Sequence, residues 1–209
     1  MRHLREYLER AAQERLLQEI VIVLAQAPLF TPAMPRTGRP FSVQMSNCGP
    51  LGWVSDKAGG YRYQPAHPLT GEPWPPIPGA LLALWAELSG YAAPPEACLI
   101  NYYEPGARMG LHRDEDEEAL DAPVISISLG DEALFRLGGL QRRSPTRSFP
   151  LASGDVVVLE GRSRLAYHGV DRIEAGSSDL LAPYFPRGGR INVTLRRVRP
   201  APHPAGSPF

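Results

Sequence analysis

From about Cys98 onward the chain runs through eight short segments, each bounded by Gly, Pro or Asp. They are ACLINYYE, the segment around His112, PVISISLG, ALFRLGG, RSFPLASG, DVVVLEG, LAYHGV and RINVTLRRV. Many short strands cut by turn residues predict an all-β sandwich or jelly roll rather than a parallel sheet. Whatever chemistry the chain carries must therefore be built from side chains on strand faces and on the loops between them.

The first half is mixed. Residues 1–8 fit either a first strand or the start of a helix. From about Arg10 to Ala27, Leu16, Leu17, Ile20, Val21, Val23 and Leu24 recur at helical spacing, and Pro28 stops the run. Residues 31–40 read as loop, FSVQMSNCG as a strand, and LGWVSDKAGGYRYQP as a hairpin turning at Gly59-Gly60. The Pro-dense PAHPLTGEPWPPIPG is an irregular connection in which His67 is expected at the surface. A second helix is predicted from Gly79 to Gly90, its apolar set including Leu81, Leu84, Trp85 and Leu88.

A chain of 209 residues with 43% hydrophobic content can bury one sizeable core. The reading is a single domain over residues 1–199, with helices and hairpin in about 1–97 and the β core in about 98–199. The Pro-rich end, 200–209, is expected to be disordered. Net charge is zero, so any polyanion contact must rest on local clusters. Cys48 and Cys98 are too few for a disulfide framework and read as buried and reduced. The longest apolar run, around Ile20 to Leu24, is too short to cross a membrane, and a cytoplasmic protein is expected. Nothing in the sequence demands more than a monomer.

His112 and Asp114 stand two positions apart, which in an extended chain places both on one side. Taken alone, His-x-Asp is a weak signal, often no more than a solvated turn. His168 in LAYHGV supplies a second imidazole; the one other downstream histidine, His203, sits in the tail. Two imidazoles and one carboxylate with an open face are the arrangement of non-haem Fe(II) oxygenases. In RINVTLR, Arg190, Asn192, Thr194 and Arg196 share a strand face, where an arginine fork could hold a carboxylate; a solvated basic edge would look the same. Asn101 and Tyr103 likewise share a face. On the hairpin, Trp53, Tyr61 and Tyr63 fit either packing or an aromatic wall for a flat substrate.

The runs LINYYEPGARMGLHRDED, PVISISLG, GDVVVLEGRSRLAYHG and RINVTLR closely resemble the AlkB family of Fe(II)- and 2-oxoglutarate-dependent dioxygenases. The likeness extends upstream through MSNCGPLGW, GYRYQP and EPWPPIP, and so covers roughly residues 10–198. It implies a mostly β fold with flanking helices: a double-stranded β-helix, or jelly roll, with an N-terminal helix and hairpin acting as substrate lid. It implies Fe(II) held by His112, Asp114 and His168, and 2-oxoglutarate held by Asn101, Tyr103, Arg190, Asn192 and Arg196, with O2 as oxidant. By the same resemblance Trp53, Tyr61 and Tyr63 form the lid, with His112 stacking from the opposite side. Asp116 touches the exocyclic group of the base, and Arg142 contacts the substrate side. The implied activity is oxidative dealkylation of bases such as 1-methyladenine and 3-methylcytosine in single- or double-stranded DNA, or in RNA, with release of succinate, CO2 and formaldehyde.

Three rivals remain at this level. A dioxygenase on the same scaffold could act on RNA or on a protein side chain. A non-catalytic jelly-roll binding module would be expected to lack a ligand or one of the two arginines. A zinc hydrolase would leave Arg190 and Arg196 unexplained.

Overall fold

The computed structural model describes residues 1–201; most of the Pro-rich tail therefore lies outside the described residues. In chain order the elements are β1 (Arg2–Leu4), α1 (Arg10–Gln26), β2 (Gln44–Cys48), β3 (Gly52–Asp56), β4 (Gly60–Gln64) and α2 (Gly79–Leu88). They continue with β5 (Ala97–Tyr103), β6 (Met109–His112), β7 (Val124–Gly130), β8 (Glu132–Leu137), β9 (Arg147–Leu151), β10 (Val156–Leu159), β11 (His168–Glu174) and β12 (Arg190–Arg196). All strand pairs are antiparallel. A six-stranded sheet, β1-β10-β7-β12-β5-β2, faces a four-stranded sheet, β6-β11-β8-β9, and β3-β4 form a separate hairpin. This is the expected jelly roll. The open question at the N-terminus resolves as a strand, because Arg2, His3 and Leu4 pair with Val158, Val157 and Val156 on the free side of β10.

The period of two along each strand sorts the side chains of the large sheet. Cys98, Ile100, Tyr102, Ile125, Ile127, Leu129, Ile191, Val193 and Leu195 all point to one face, where they pack with Leu16, Leu17 and Ile20 of α1 and Leu81, Leu84 and Trp85 of α2. The alternate residues point between the sheets. There Leu99, Val157 and Leu159 join Phe135, Leu137 and Ile173 of the small sheet in a second core. The same register that buries apolar residues beneath the helices aims Asn101, Ser126, Ser128, Arg190, Asn192, Thr194 and Arg196 the other way, into the space between the sheets.

RINVTLR is therefore not a sheet edge. β12 lies between β7 and β5, with Asn192 opposite both Ser128 and Asn101. The surface expectation for His67 is also overturned. The ring is buried against Phe30 and Trp74, with Nε2 at 2.8 Å from the Pro28 carbonyl and Nδ1 accepting from the amides of Leu69 and Thr70. In a segment so rich in proline, this imidazole replaces backbone pairing that the prolines cannot supply.

Candidate metal and co-substrate site

His112 and His168 stand side by side on the four-stranded sheet. These residues are direct cross-strand partners of β6 and β11, and their ring centroids lie 4.5 Å apart. Gly169 permits this approach, since a Cβ there would lie 2.6 Å from the Met109 carbonyl oxygen. The spacing suggested a strand position for Asp114, but β6 ends at His112 and Asp114 lies on the irregular segment beyond it, its carboxylate facing both rings. Its oxygens lie 4.0 Å from His112 Nε2 and 3.9 Å from His168 Nε2. One donor atom from each residue falls within 4.8 Å of the others, so the three can hold a metal ion.

The histidine tautomers are set locally. His112 Nδ1 lies 3.0 Å from the Gly110 carbonyl and His168 Nδ1 3.0 Å from that of Ala166. A carbonyl can only accept, so each Nδ1 carries the proton and each Nε2 presents its lone pair. Burial, together with the neighbouring His112, pulls His168 down to about 4 against the opposing pull of Asp114. Burial pushes the Asp114 carboxyl up, but Arg196, His168, His112 and Arg164 outweigh it and hold the group well below the usual carboxylate range. A neutral imidazole beside an ionised carboxylate is the state a cation requires.

The triad opens into a cavity of about 1410 Å³ between the sheets. On its floor Arg190, 1% exposed, donates from Nη2 to Ser128 Oγ at 2.6 Å and from Nη1 to the carbonyls of Leu151 and Asp131. It forms no ion pair among the described residues. Nearer the triad, Arg196 donates to Asp114 Oδ1 at 2.8 Å. Asn192 is held by Ser126 and Thr194. Burial raises the buried Tyr103 phenol to about 12, so it stays a hydrogen-bond donor.

These features agree with the comparison to known proteins. The pattern of the 2OG-Fe(II) oxygenase superfamily matches residues 1–196. The chain belongs to this superfamily. Within it, the chain is 54% identical over 194 residues to an alpha-ketoglutarate-dependent dioxygenase AlkB homolog of Caulobacter vibrioides, spanning 93% of this chain and 86% of that protein. It is 42% identical over 191 residues to the alpha-ketoglutarate-dependent dioxygenase AlkB of Escherichia coli K12, covering 90% and 85%. The solved structure of OsALKBH1 superposes with a TM-score of 0.76 at 29% identity, covering 93% of this chain and 95% of that one. The chain is thus an AlkB-type dioxygenase that uses Fe(II), 2-oxoglutarate and O2.

The residues present fit that set of groups. Three buried polar atoms on this face of the sheet lack a hydrogen-bond partner among the described residues: Asn101 Oδ1, Arg190 Nε and Arg196 Nε. Buried orphans are costly unless something completes them. A dicarboxylate could supply the acceptor that Arg190 lacks, since Arg190 has no ion pair among the described residues, whereas Arg196 already faces Asp114 and Glu117.

At the cavity mouth the dioxygenase carries a row of aromatic rings. Phe41 stacks on Trp53 and Trp53 on Tyr61, with centroids 6.4 Å and 5.5 Å apart. Trp53 Nε1 donates to Asp116 Oδ2 at 2.8 Å. Tyr63 lies on the same hairpin but does not line the cavity; its hydroxyl turns inward to Glu117 and lies 3.4 Å from Arg196 Nη1. Arg142 sits at the rim, donating to the Leu111 carbonyl, and both it and Arg113 lie over the Tyr167 ring. Sequence reasoning missed Glu117 and Arg164, a buried ion pair behind the triad. Among the described residues no helix is long and apolar enough to cross a membrane.

Proposed function

We propose that this dioxygenase removes alkyl groups from the ring nitrogens of nucleobases in DNA. The observation that carries the reading is the aromatic stack of Trp53 and Tyr61 above the triad, with the Asp116 carboxylate beside it. Rings and one acid at the mouth suit a flat cation such as 1-methyladenine or 3-methylcytosine better than a flexible side chain. Burial raises the Asp116 carboxyl, opposed by the hydrogen bond from Trp53. In this reading Trp53 and Tyr61 hold the extruded base against His112, Asp116 receives its exocyclic amino group, and Arg142 meets a flanking phosphate. Tyr63 anchors the lid from behind.

His112, Asp114 and His168 would hold the iron, Arg190 the far carboxylate of 2-oxoglutarate, and Arg196 the end near the metal. Asn101, Tyr103 and Asn192 complete the co-substrate pocket. When bound, iron with 2-oxoglutarate and O2 supplies the oxidation that converts an N-alkyl carbon to its hydroxylated form, with release of succinate and CO2. The hydroxylated carbon then leaves as formaldehyde and restores the base. The chain's own part is to fix the alkyl carbon over the open face of the triad and to exclude water with the lid. A methylated base no longer pairs well, which lowers the cost of drawing it out of the stack. In this reading the protein works as a monomer in the cytoplasm.

The test is formaldehyde and succinate release from a short single-stranded DNA carrying 1-methyladenine, with Fe(II), 2-oxoglutarate and O2 each omitted in turn. Turnover that needs all three supports the reading. Consumption of 2-oxoglutarate without demethylation of DNA, but with demethylation of the matching RNA or a methylated peptide, would replace DNA as substrate and leave the oxygenase intact.

A further inference from the structure

Five acidic residues follow in succession from Asp114 to Glu118, and two of them face the lid in opposite ways. Asp116, beside the cavity, holds Trp53. Glu117 points inward, its side chain 1% exposed. Its Oε1 accepts the Tyr63 hydroxyl of β4 and lies 3.5 Å from Arg196 Nε of β12; its Oε2 accepts from Arg164 Nη2 at 3.0 Å. Arg164 is itself buried and donates to the carbonyls of Asp114 and Ala122, both at 2.7 Å, so it grips the loop that carries Asp114 near its two ends. One carboxylate thus ties the lid hairpin, the central strand and the Asp114 loop together. Two acids, Asp114 and Glu117, balance two guanidiniums, Arg164 and Arg196, within the group.

We propose that Glu117 is a positioning residue that couples the seating of the β3-β4 lid to the orientation of the Asp114 carboxylate. The inference rests on the reading of Asp114 as a metal ligand and of the hairpin as a lid. The two lid contacts have different characters. The Trp53 to Asp116 bond lies at the cavity surface, where an entering base can displace it. The Tyr63 to Glu117 bond lies behind the site, on a carboxylate shielded from water, so it holds when the Trp53 bond is broken. Tyr63 is the cross-strand partner of Trp53, so this buried bond seats the part of the hairpin that carries the lid ring, and Asp114, held through Arg164 and Arg196, stays in place beneath it. Buried charged groups of this kind fix geometry at some expense of stability.

The experiment is backbone amide exchange on the full metal-free chain, comparing Glu117→Gln, Tyr63→Phe and the double variant. Each single change should speed exchange across Gly60–Gln64 about tenfold, the size expected for one lost charge-assisted hydrogen bond. The double variant should be no faster than the faster single, since both remove one link. Exchange in α1 should not move. With iron, 2-oxoglutarate, O2 and methylated DNA present, the ratio of succinate formed to formaldehyde released should rise severalfold in both variants, a readout that general destabilisation does not shift. Hairpin exchange unchanged in Tyr63→Phe, or additive effects in the double variant, would overturn the proposal. Should Glu117→Gln not fold, Tyr63→Phe decides by the same measure, because it keeps the shape of the side chain and the Glu117–Arg164 pair. Failure of the wild-type chain to bind iron would sink the metal reading while leaving the exchange result to stand by itself.

Discussion

Arg196 donates to Asp114 Oδ1 at 2.8 Å with both side chains buried, so the residue read as metal ligand is also the counter-charge of a central-strand guanidinium. Asp114→Ala therefore removes two things at once. It should abolish 2-oxoglutarate-dependent turnover, and it should destabilise the metal-free protein by about 3 kcal/mol, because Arg196 loses its closest carboxylate and is left with Glu117 at 3.5 Å. Urea unfolding of the metal-free variant measures the second effect apart from the first. Lost turnover with an unchanged unfolding midpoint would mean that Asp114 serves the metal alone.

Arg190 is buried and holds its fork by Ser128 and two carbonyls, with no carboxylate paired to it among the described residues. Arg190→Lys keeps the charge but loses the planar fork. The apparent KM for 2-oxoglutarate should rise about tenfold to a hundredfold, equivalent to about 1.4–2.8 kcal/mol. Thermal melts with and without saturating 2-oxoglutarate give an independent check. The ligand-induced rise in Tm should shrink in the variant; an equal rise would place the co-substrate's far carboxylate elsewhere.

Trp53→Ala removes the middle ring of the Phe41, Trp53 and Tyr61 stack and frees Asp116. Stacking of a base on an aromatic ring is worth about 1–3 kcal/mol, so the KM for methylated single-stranded DNA should rise by roughly 5- to 150-fold. The KM for 2-oxoglutarate should stay where it is, since Trp53 reaches none of the residues on the cavity floor. Measuring both constants on one preparation separates a lid defect from a disturbed site.

Much of this was legible because strand faces obey a period of two. Arg190, Asn192, Thr194 and Arg196 could be assigned a common face from spacing alone, and the structure turns that face to the cavity. His112 and Asp114 were read as same-side neighbours for a reason that holds only on a strand. Asp114 lies past the strand end, where Arg164 holds its carbonyl and Arg196 its carboxylate. Glu117 was not legible: five consecutive acids look alike until it is known which of them faces Arg164, fifty residues from Asp114 and brought up by the turn after β10. His67 was misplaced for a related reason. Proline density marks an irregular segment, but not whether a neighbouring core will cover it.

The last prediction concerns the end of β12. Glu96, buried just before β5, accepts from the amides of Val198 and Arg199 and from Arg199 Nε, and so pins the chain two to three residues beyond Arg196. Burial pushes this carboxyl up, but the bonds from Arg199 and the charges of Arg197 and Arg199 outweigh it, and its folded value lies below the ordinary one. A carboxyl depressed in the folded state contributes stability above its unfolded value and loses it as pH falls through the folded value. Glu96→Gln keeps the shape and removes the charge, so it should cost about 1–2 kcal/mol near neutral pH. Urea unfolding at about pH 7 and again at about pH 3, below the ordinary Glu value of about 4.3, tests the sign. The gap between wild type and variant should narrow at the lower pH, because the unfolded wild-type chain then carries a proton on this carboxyl that the folded state resists. A gap of constant size would show that shape, not charge, holds the end of the strand.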